Sequence, residues 1–202
     1  TEQAMPIEGY VADGETSKTI RIGVDTNVID FYYVKRKDLS YTVDYLEKGT
    51  TKKIAESKIV EGQTFESDVT EQAIDIAGYD KQNPITQKIT IGVSGNVISF
   101  YYTKKIDLSY TVNYLEKDTE NAVATAKVVH GQTFDADVTE QAIDVDGYNK
   151  VDPTEASIKI SDGENVINFY YTKKSDLGYK VNYLEKNTDK VLAEQKNVSG
   201  KT

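Results

Sequence analysis

Three equally spaced tyrosines are the side chains best suited to chemistry in this 202-residue chain. Tyr32, Tyr101 and Tyr170 each occupy the middle of a Phe-Tyr-Tyr triplet that recurs every 69 residues. An aromatic ring on a strand can stack on the apolar face of a sugar, and the phenol adds a hydroxyl group. Three weak sites in series would also gain avidity through multivalency. These tyrosines are therefore the candidate ligand-binding residues.

The same tyrosines also have a purely structural interpretation. Tyrosine is favoured in strands, where it packs on cross-strand neighbours. Side chains alternate along a strand, so the middle tyrosine of each triplet should face away from the two residues beside it. One of the two sets is then less buried than the other. The sequence leaves both interpretations open.

Metal and histidine chemistry have weaker support. His130 is the only histidine and occurs in one copy of the repeat, just before Gly131, which is typical of a surface turn. Asp144, Asp146 and Asp152 offer oxygen ligands of the kind that calcium prefers, but without the spacing of a calcium loop. We therefore predict no metal site.

Catalysis is also disfavoured. The chain has no glycine-rich phosphate loop and no Ser/His/Asp set in more than one copy. A Lys–Asn isopeptide crosslink beside an acid would need residues such as Lys117, Asn113 and Glu116. These three lie on one predicted strand and its exit, in positions typical of solvent-facing side chains. We predict neither an enzyme nor a cofactor.

The 69-residue period defines the domain organisation. Residues 41–109 and 110–178 are full repeats, identical at 40 of 69 positions. Residues 1–40 match the C-terminal part of the repeat and residues 179–202 its N-terminal part. A chain that begins in mid-repeat is expected to be a piece of something longer.

Each full repeat is predicted to run strand, strand, short helix, strand, strand. Alternating or β-branched segments mark the strands of the second repeat at 110–115, 123–129, 156–160 and 165–174. The first two form a predicted hairpin.

The predicted helix covers residues 137–143, with Asp137 as N-cap and Glu140 completing a capping-box-like pattern. One helix across a four-stranded sheet is an economical way to bury one apolar face. The predicted fold class is α+β, as tandem β-grasp (ubiquitin-like) repeats of β-β-α-β-β order. The junctions are poor in Pro and Gly, so we expect an elongated rod.

Composition excludes several classes of protein. The net charge of −9 disfavours general affinity for nucleic acid. The absence of cysteine rules out disulfides and thiolate metal sites. No segment approaches the roughly 20 apolar residues needed to span a bilayer. No signal peptide is visible. We expect no membrane insertion in this segment.

Several of these residues resemble a known family of repeats. The opening Tyr-x-Val-x-Tyr (Tyr110, Val112, Tyr114), the mid-repeat Gly147–Tyr148 and the closing Phe-Tyr-Tyr are similar to the mucin-binding protein (MucBP) repeat of Gram-positive cell-surface adhesins. The resemblance covers essentially the whole chain. It implies a β-grasp unit, an extracellular, cell-wall-anchored location, and host mucin or other glycans as partners of some members.

The sequence therefore predicts a repeat segment of a bacterial surface protein. It would act as a stalk and bind mucin-type glycans weakly and multivalently. The alternative is a self-assembling filament subunit, in which the half-repeats at 1–40 and 179–202 complete each other between molecules.

Overall fold

A computed structural model describes residues 1–201 of the chain. It contains strands joined by turns and loops, and no helix in that range. The chain divides into two compact units, Thr1–Lys104 and Lys105–Thr202.

The first unit is built from ten strands. A four-stranded sheet in the order β6-β5-β10-β8 is accompanied by the pairs β1–β3, β2–β4 and β7–β9. The strands are β1 Glu2–Gln3, β2 Tyr10–Ala12, β3 Ser17–Lys18, β4 Tyr33–Lys35, β5 Leu39–Glu47, β6 Lys58–Gln63, β7 Asp68–Gln72, β8 Tyr79–Lys81, β9 Thr86–Thr90 and β10 Val97–Lys104.

The second unit repeats this organisation. Its four-stranded sheet has the order β12-β11-β16-β14, and β13–β15 and β17–β18 form two-stranded pairs. The strands are β11 Leu108–Glu116, β12 Ala122–Gln132, β13 Asp137–Gln141, β14 Tyr148–Lys150, β15 Glu155–Lys159, β16 Val166–Lys173, β17 Leu177–Leu184 and β18 Val191–Lys201.

The centre of each four-stranded sheet is a parallel pair flanked by antiparallel neighbours. In the second unit β11 runs parallel to β16, with Val112 opposite Ile167 and Tyr114 opposite Phe169. The rings of Tyr114 and Phe169 stack with centroids 6.4 Å apart. Both side chains are almost fully buried, and so is Tyr171. Burying such a side chain stabilises the fold by about 1.5–3 kcal/mol, so this face of the sheet is the core.

The predicted helix is wrong, and with it the α+β, β-grasp fold class. Residues Asp137–Gln141 form β13, which pairs antiparallel with β15 at Glu155–Lys159. An isolated helix of about seven residues is too short to be stable. The β13–β15 pair satisfies the same backbone groups, and β13 alternates half-buried with exposed side chains. Asp137 therefore caps no helix, and its carboxylate lies 3.1 Å from Lys159 Nζ instead.

The predicted strands are confirmed where the period-two pattern is clear. β11 and β12 form the predicted antiparallel hairpin, and β15 and β16 cover the two later strands. The predicted turn at Gly131 is instead an irregularity within β12. Gly131 has φ +71°, and the register shifts there between Tyr110 and Leu108 on the facing strand.

A buried asparagine anchors the start of β16. Asn165 Oδ1 accepts a hydrogen bond from Ser161 N at 2.8 Å, which closes the turn after β15. Its Nδ2 donates to Ser109 O at 3.1 Å and so ties that turn to β11. Burying an amide is tolerable when its hydrogen-bonding groups are paired, which explains an asparagine in this otherwise apolar position.

In the first unit, the N-terminal half-repeat packs against the following sheet through one aromatic contact. The rings of Tyr10 and Phe65 meet edge to face with centroids 5.6 Å apart. Lys35 Nζ lies 2.9 Å from Glu66 Oε2 beside them. Gly9 has φ +79°, and a Cβ there would overlap the Phe65 ring. Only glycine fits both the backbone conformation and this close approach.

Candidate functional site

The middle tyrosine of each full triplet points away from the core. On β10, Phe100 and Tyr102 are fully buried, whereas Tyr101 between them is 42% exposed. On β16, Phe169 and Tyr171 are buried and Tyr170 is half-buried. The alternation expected from the sequence is present in both sheets.

A surface groove lies over Tyr170 in the second unit, with a volume of about 640 Å³. Three separate segments form it. Tyr170 comes from β16, residues 117–120 are the turn between β11 and β12, and Val151 and Asp152 follow β14. We call this the Tyr170 groove. Parallel pairing of β11 with β16 brings the turn beside the tyrosine, because the two strands end at the same edge of the sheet.

Backbone hydrogen bonds fix the sides of the Tyr170 groove. Val151 N donates to Tyr170 O at 2.9 Å, and Lys117 N donates to Tyr171 O at 2.8 Å. In the turn, Asp118 and Glu120 have φ values of 68° and 58°. These left-handed conformations are uncommon for residues with a side chain. The groove is therefore built on strand ends and a tight turn.

The first unit repeats the backbone arrangement around Tyr101. Gln82 N donates to Tyr101 O at 2.9 Å, and Lys48 N donates to Tyr102 O at 2.8 Å. The side chains differ, because Lys48 Nζ donates to Gln82 Oε1 at 3.3 Å. Val151 takes the place of Gln82 in the second unit and has no side-chain acceptor. The Lys48–Gln82 bridge therefore crosses the place where the second unit is open.

Tyr32 has a different environment from the other two tyrosines. Its backbone carbonyl accepts a hydrogen bond from Asp13 N at 2.8 Å. Its side chain is 66% exposed, and Lys18 Nζ lies 5.7 Å from the ring centroid. Among residues 1–201, no counterpart of the turn at 117–120 accompanies Tyr32. Its ring instead has a cation above it.

The walls of the Tyr170 groove are the part of the site that sequence reasoning missed. A signal for them is present in the repeat comparison. Asp118 and Glu120 replace Gly49 and Thr51, and residues 151–152 replace a Gln-Asn pair. Divergent positions that gather round one aromatic side chain can indicate a binding surface. Such divergence is equally typical of tolerant, solvated surface, which is the simpler interpretation when the sequence stands alone.

A hydrogen-bonded triad of Tyr, Glu and Lys is attached to the core side of each sheet. Tyr110 and Lys127 both donate to Glu140 Oε1, at 2.5 and 2.7 Å. Lys127 and Tyr110 together lower the pKa of the Glu140 carboxyl. The same contact with Glu140 raises the pKa of Tyr110. Glu140, expected to cap a helix, instead links β13 to the sheet.

The matching triad in the first unit joins Tyr41, Lys58 and Glu71. Burial raises the pKa of the Glu71 carboxyl, but hydrogen bonds from Lys58 and Tyr41 outweigh burial, and the net shift is downward. Tyr41 and Lys58 each lie 2.6 Å from Glu71 Oε1. The triad is a structural link, because its hydroxyl and carboxylate are committed to each other.

His130 and Asp144 lie outside the Tyr170 groove. His130 is exposed on β12. Asp144 pairs with Lys150 at 2.9 Å, and that hydrogen bond lowers the pKa of its carboxyl. Within residues 1–201, no group of three or more His, Asp or Glu side chains is arranged to hold a metal ion.

The residues considered for a crosslink also have other partners. Asn113 Nδ2 donates to Asn168 Oδ1 at 2.9 Å. Glu116 Oε1 lies 3.3 Å from Lys173 Nζ. These are not the contacts that a bond between Lys117 and Asn113 would require.

The fold and groove define a class: an all-β protein of repeated mixed sheets that carry an exposed aromatic residue on the face away from the core. No protein-family model and no curated protein matches the chain. Among solved structures it is similar to one described as "Crystal structure of Mub-RV", with 11% identity, 67% of this chain and 98% of that chain covered, and a TM-score of 0.26. A likeness at that level carries no argument about activity. No helix able to cross a membrane occurs in residues 1–201.

Proposed function

We propose that this chain is a repeat segment of an extracellular surface protein that spaces its neighbours and binds oligosaccharides at the Tyr170 groove and around Tyr101. The observation that carries the proposal is a coincidence of two independent signals. Sequence spacing selects Tyr170 as a candidate binding residue, and a groove lies over that same side chain.

The chemistry of the Tyr170 groove suits a polyhydroxylated ligand. The tyrosine ring supplies a stacking surface, and its phenol supplies a donor and acceptor. The carboxylates of Asp118, Glu120 and Asp152 and the hydroxyl of Thr119 line the sides and can accept hydrogen bonds from sugar hydroxyls. An open groove buries little of a ligand, so each site should be weak and repetition should raise the avidity.

The proposed location and partner rest on the resemblance to the MucBP repeat. The MucBP-like tyrosine and glycine positions favour a cell-wall-anchored surface protein and host mucin-type glycans as the ligand. A tandem array without cysteine is compatible with a stalk, and stalk and binding roles can coexist in one chain. An enzymatic role has no support from the groove, which presents no nucleophile beside a base among residues 117–120, 151–152 and 170.

The test is binding of the full 202-residue chain to immobilised mucin before and after enzymatic removal of glycans. We expect saturable binding that disappears with the glycans and falls at least tenfold in the Tyr101→Ala, Tyr170→Ala double variant. Tyr32→Ala is measured beside this double variant, because the ring of Tyr32 has a different environment, with Lys18 Nζ 5.7 Å from its centroid. Absence of binding at high protein concentration, or binding that survives glycan removal, would overturn the proposal.

A further inference from the structure

Corresponding positions around Tyr101 and Tyr170 carry different charges. The sides of the Tyr170 groove contain Lys117 with Asp118, Glu120 and Asp152, a formal charge of +1 − 3 = −2. The matching positions in the first unit are 48–51 and 82–83, which read Lys-Gly-Thr-Thr and Gln-Asn, a formal charge of +1. The backbone hydrogen bonds are the same at the two places, so a ligand would meet the same backbone framework with different side chains and different electrostatics.

We propose that the Tyr170 groove selects neutral oligosaccharides and rejects glycans that carry sialic acid or sulfate, whereas the surface around Tyr101 accepts both. This inference rests on the proposed function. An anionic sugar placed on Tyr170 would lie within a Debye length of three carboxylates, since that length is about 8 Å at physiological ionic strength. A neutral sugar meets the same oxygens as hydrogen-bond acceptors.

The three acidic residues line the Tyr170 groove from two segments of the chain. Asp118 and Glu120 belong to the turn after β11, and Asp152 belongs to the loop after β14. All three side chains are exposed, so salt screens their effect on the charge of a ligand. Lys117 supplies one opposing charge and leaves the net charge negative.

The first unit has the opposite balance. Lys48 is the charged residue among positions 48–51, and its ammonium donates to Gln82 Oε1 at 3.3 Å. An anionic sugar on Tyr101 would therefore meet a cation already directed across that surface. The bridge can open with little loss, because a hydrogen bond to an exposed lysine contributes little to stability.

The test separates the two places within the full chain. Of these two places, Tyr101→Ala leaves the Tyr170 groove intact and Tyr170→Ala leaves the surface around Tyr101 intact. The probes are one neutral oligosaccharide of the mucin type and the same oligosaccharide with a terminal sialic acid. NMR titration follows the amides of Val151 and Lys117 in the first variant and those of Gln82 and Lys48 in the second.

With Tyr101→Ala at 20 mM salt, we expect about tenfold weaker binding of the sialylated probe, a difference that shrinks in 1 M salt. With Tyr170→Ala, we expect the sialylated probe to bind at least as tightly as the neutral one. Adding Asp118→Gly, Glu120→Gln and Asp152→Asn to Tyr101→Ala should abolish the discrimination.

The substitutions at residues 118 and 120 preserve the turn. Glycine tolerates the positive φ of residue 118, and glutamine at residue 120 avoids the strain that a β-branched residue would suffer at φ 58°. The Asp118→Asn, Glu120→Gln, Asp152→Asn set is a second route to the same charge change that keeps side-chain size.

The outcomes distinguish this inference from the proposed function. Tyr170-dependent binding of both probes with equal affinity overturns the charge selection and leaves glycan binding intact. Tighter binding of the sialylated probe than of the neutral probe at the Tyr170 groove also overturns it. No shift at any amide with either probe overturns both proposals together.

Discussion

Tyr110 donates a hydrogen bond from its phenol to Glu140 Oε1 at 2.5 Å, across 30 residues of sequence. The contact ties the four-stranded sheet of the second unit to the two-stranded β13–β15 sheet. Its counterpart in the first unit joins Tyr41 to Glu71 at 2.6 Å. The β13–β15 pair that replaces the expected helix is thus held by a hydrogen bond to a carboxylate as well as by apolar packing.

Removing the Tyr110 hydroxyl should destabilise the second unit. Tyr110→Phe deletes a hydrogen bond to an ionised acceptor, and such bonds contribute about 1.5–3 kcal/mol. We expect a lower denaturant midpoint with an unchanged slope, together with faster amide exchange in β13. Tyr101→Phe is the control, because that ring is exposed. Equal stabilities for the two variants would show that the link contributes nothing measurable.

Acid should weaken both triads. The pKa values of Glu71 and Glu140 lie below the ordinary value of 4.5 in the folded chain. As pH falls below about 4.5, the unfolded chain binds protons first, so the stabilisation present above that pH is lost towards the lower folded pKa. Thermal unfolding from pH 7 to pH 2 should show a falling midpoint.

The matched variant for that pH series is Glu140→Gln. It removes one of the carboxyls whose pKa is lowered in the folded chain and should reduce the pH dependence, while lowering stability at pH 7. A wild-type midpoint that stays constant between pH 5 and pH 2 would contradict a depressed pKa at either glutamate.

Gly9→Ala should disrupt the packing of Tyr10 on Phe65. The added Cβ would overlap the Phe65 ring, and overpacking of this kind costs about 1–3 kcal/mol. Gly14→Ala is the control, because Gly14 also has a positive φ but nothing lies within 4 Å of an added Cβ. NMR should detect proximity of the Tyr10 and Phe65 rings in the Gly14 variant and not in the Gly9 variant. If the rings separate in both variants, the cause is the strain of alanine at a positive φ and not overlap with the Phe65 ring.

Adjacent residues of β16 should separate stability from binding. Phe169→Ala empties a fully buried position and should cost about 3–5 kcal/mol. Tyr170→Ala removes a half-buried ring on the opposite face and should cost about 1 kcal/mol or less. Chemical denaturation measures both. A large decrease in the stability of Tyr170→Ala would mean that its effect on binding cannot be separated from unfolding.

Local patterns predicted much of the fold. The period-two alternation located β11, β15 and β16. A segment rich in β-branched residues located β12. The same alternation placed Tyr170 opposite Phe169. These features depend on a few neighbouring residues, and such information is present in any short window of sequence.

The helix prediction failed for a reason that no short window contains. Asp137–Gln141 has a capping pattern that suits a helix, but its partner Glu155–Lys159 begins 18 residues after Asp137. Pairing with that strand satisfies the backbone of both segments, and this non-local gain exceeds a weak local preference. The sequence contained both segments without indicating that they pair.

By itself the sequence determined the 69-residue repeat, the strands with clear alternation and the three tyrosines that alternate with their Phe and Tyr neighbours. Only the tertiary structure decided that β11 and β16 run parallel and that the β13–β15 pair replaces the helix. It also decided that residues 117–120 and 151–152 line the groove over Tyr170. The physical reason is distance along the chain. Alternation is a property of consecutive residues, whereas a groove forms where strand pairing brings together segments about 20 to 50 residues apart.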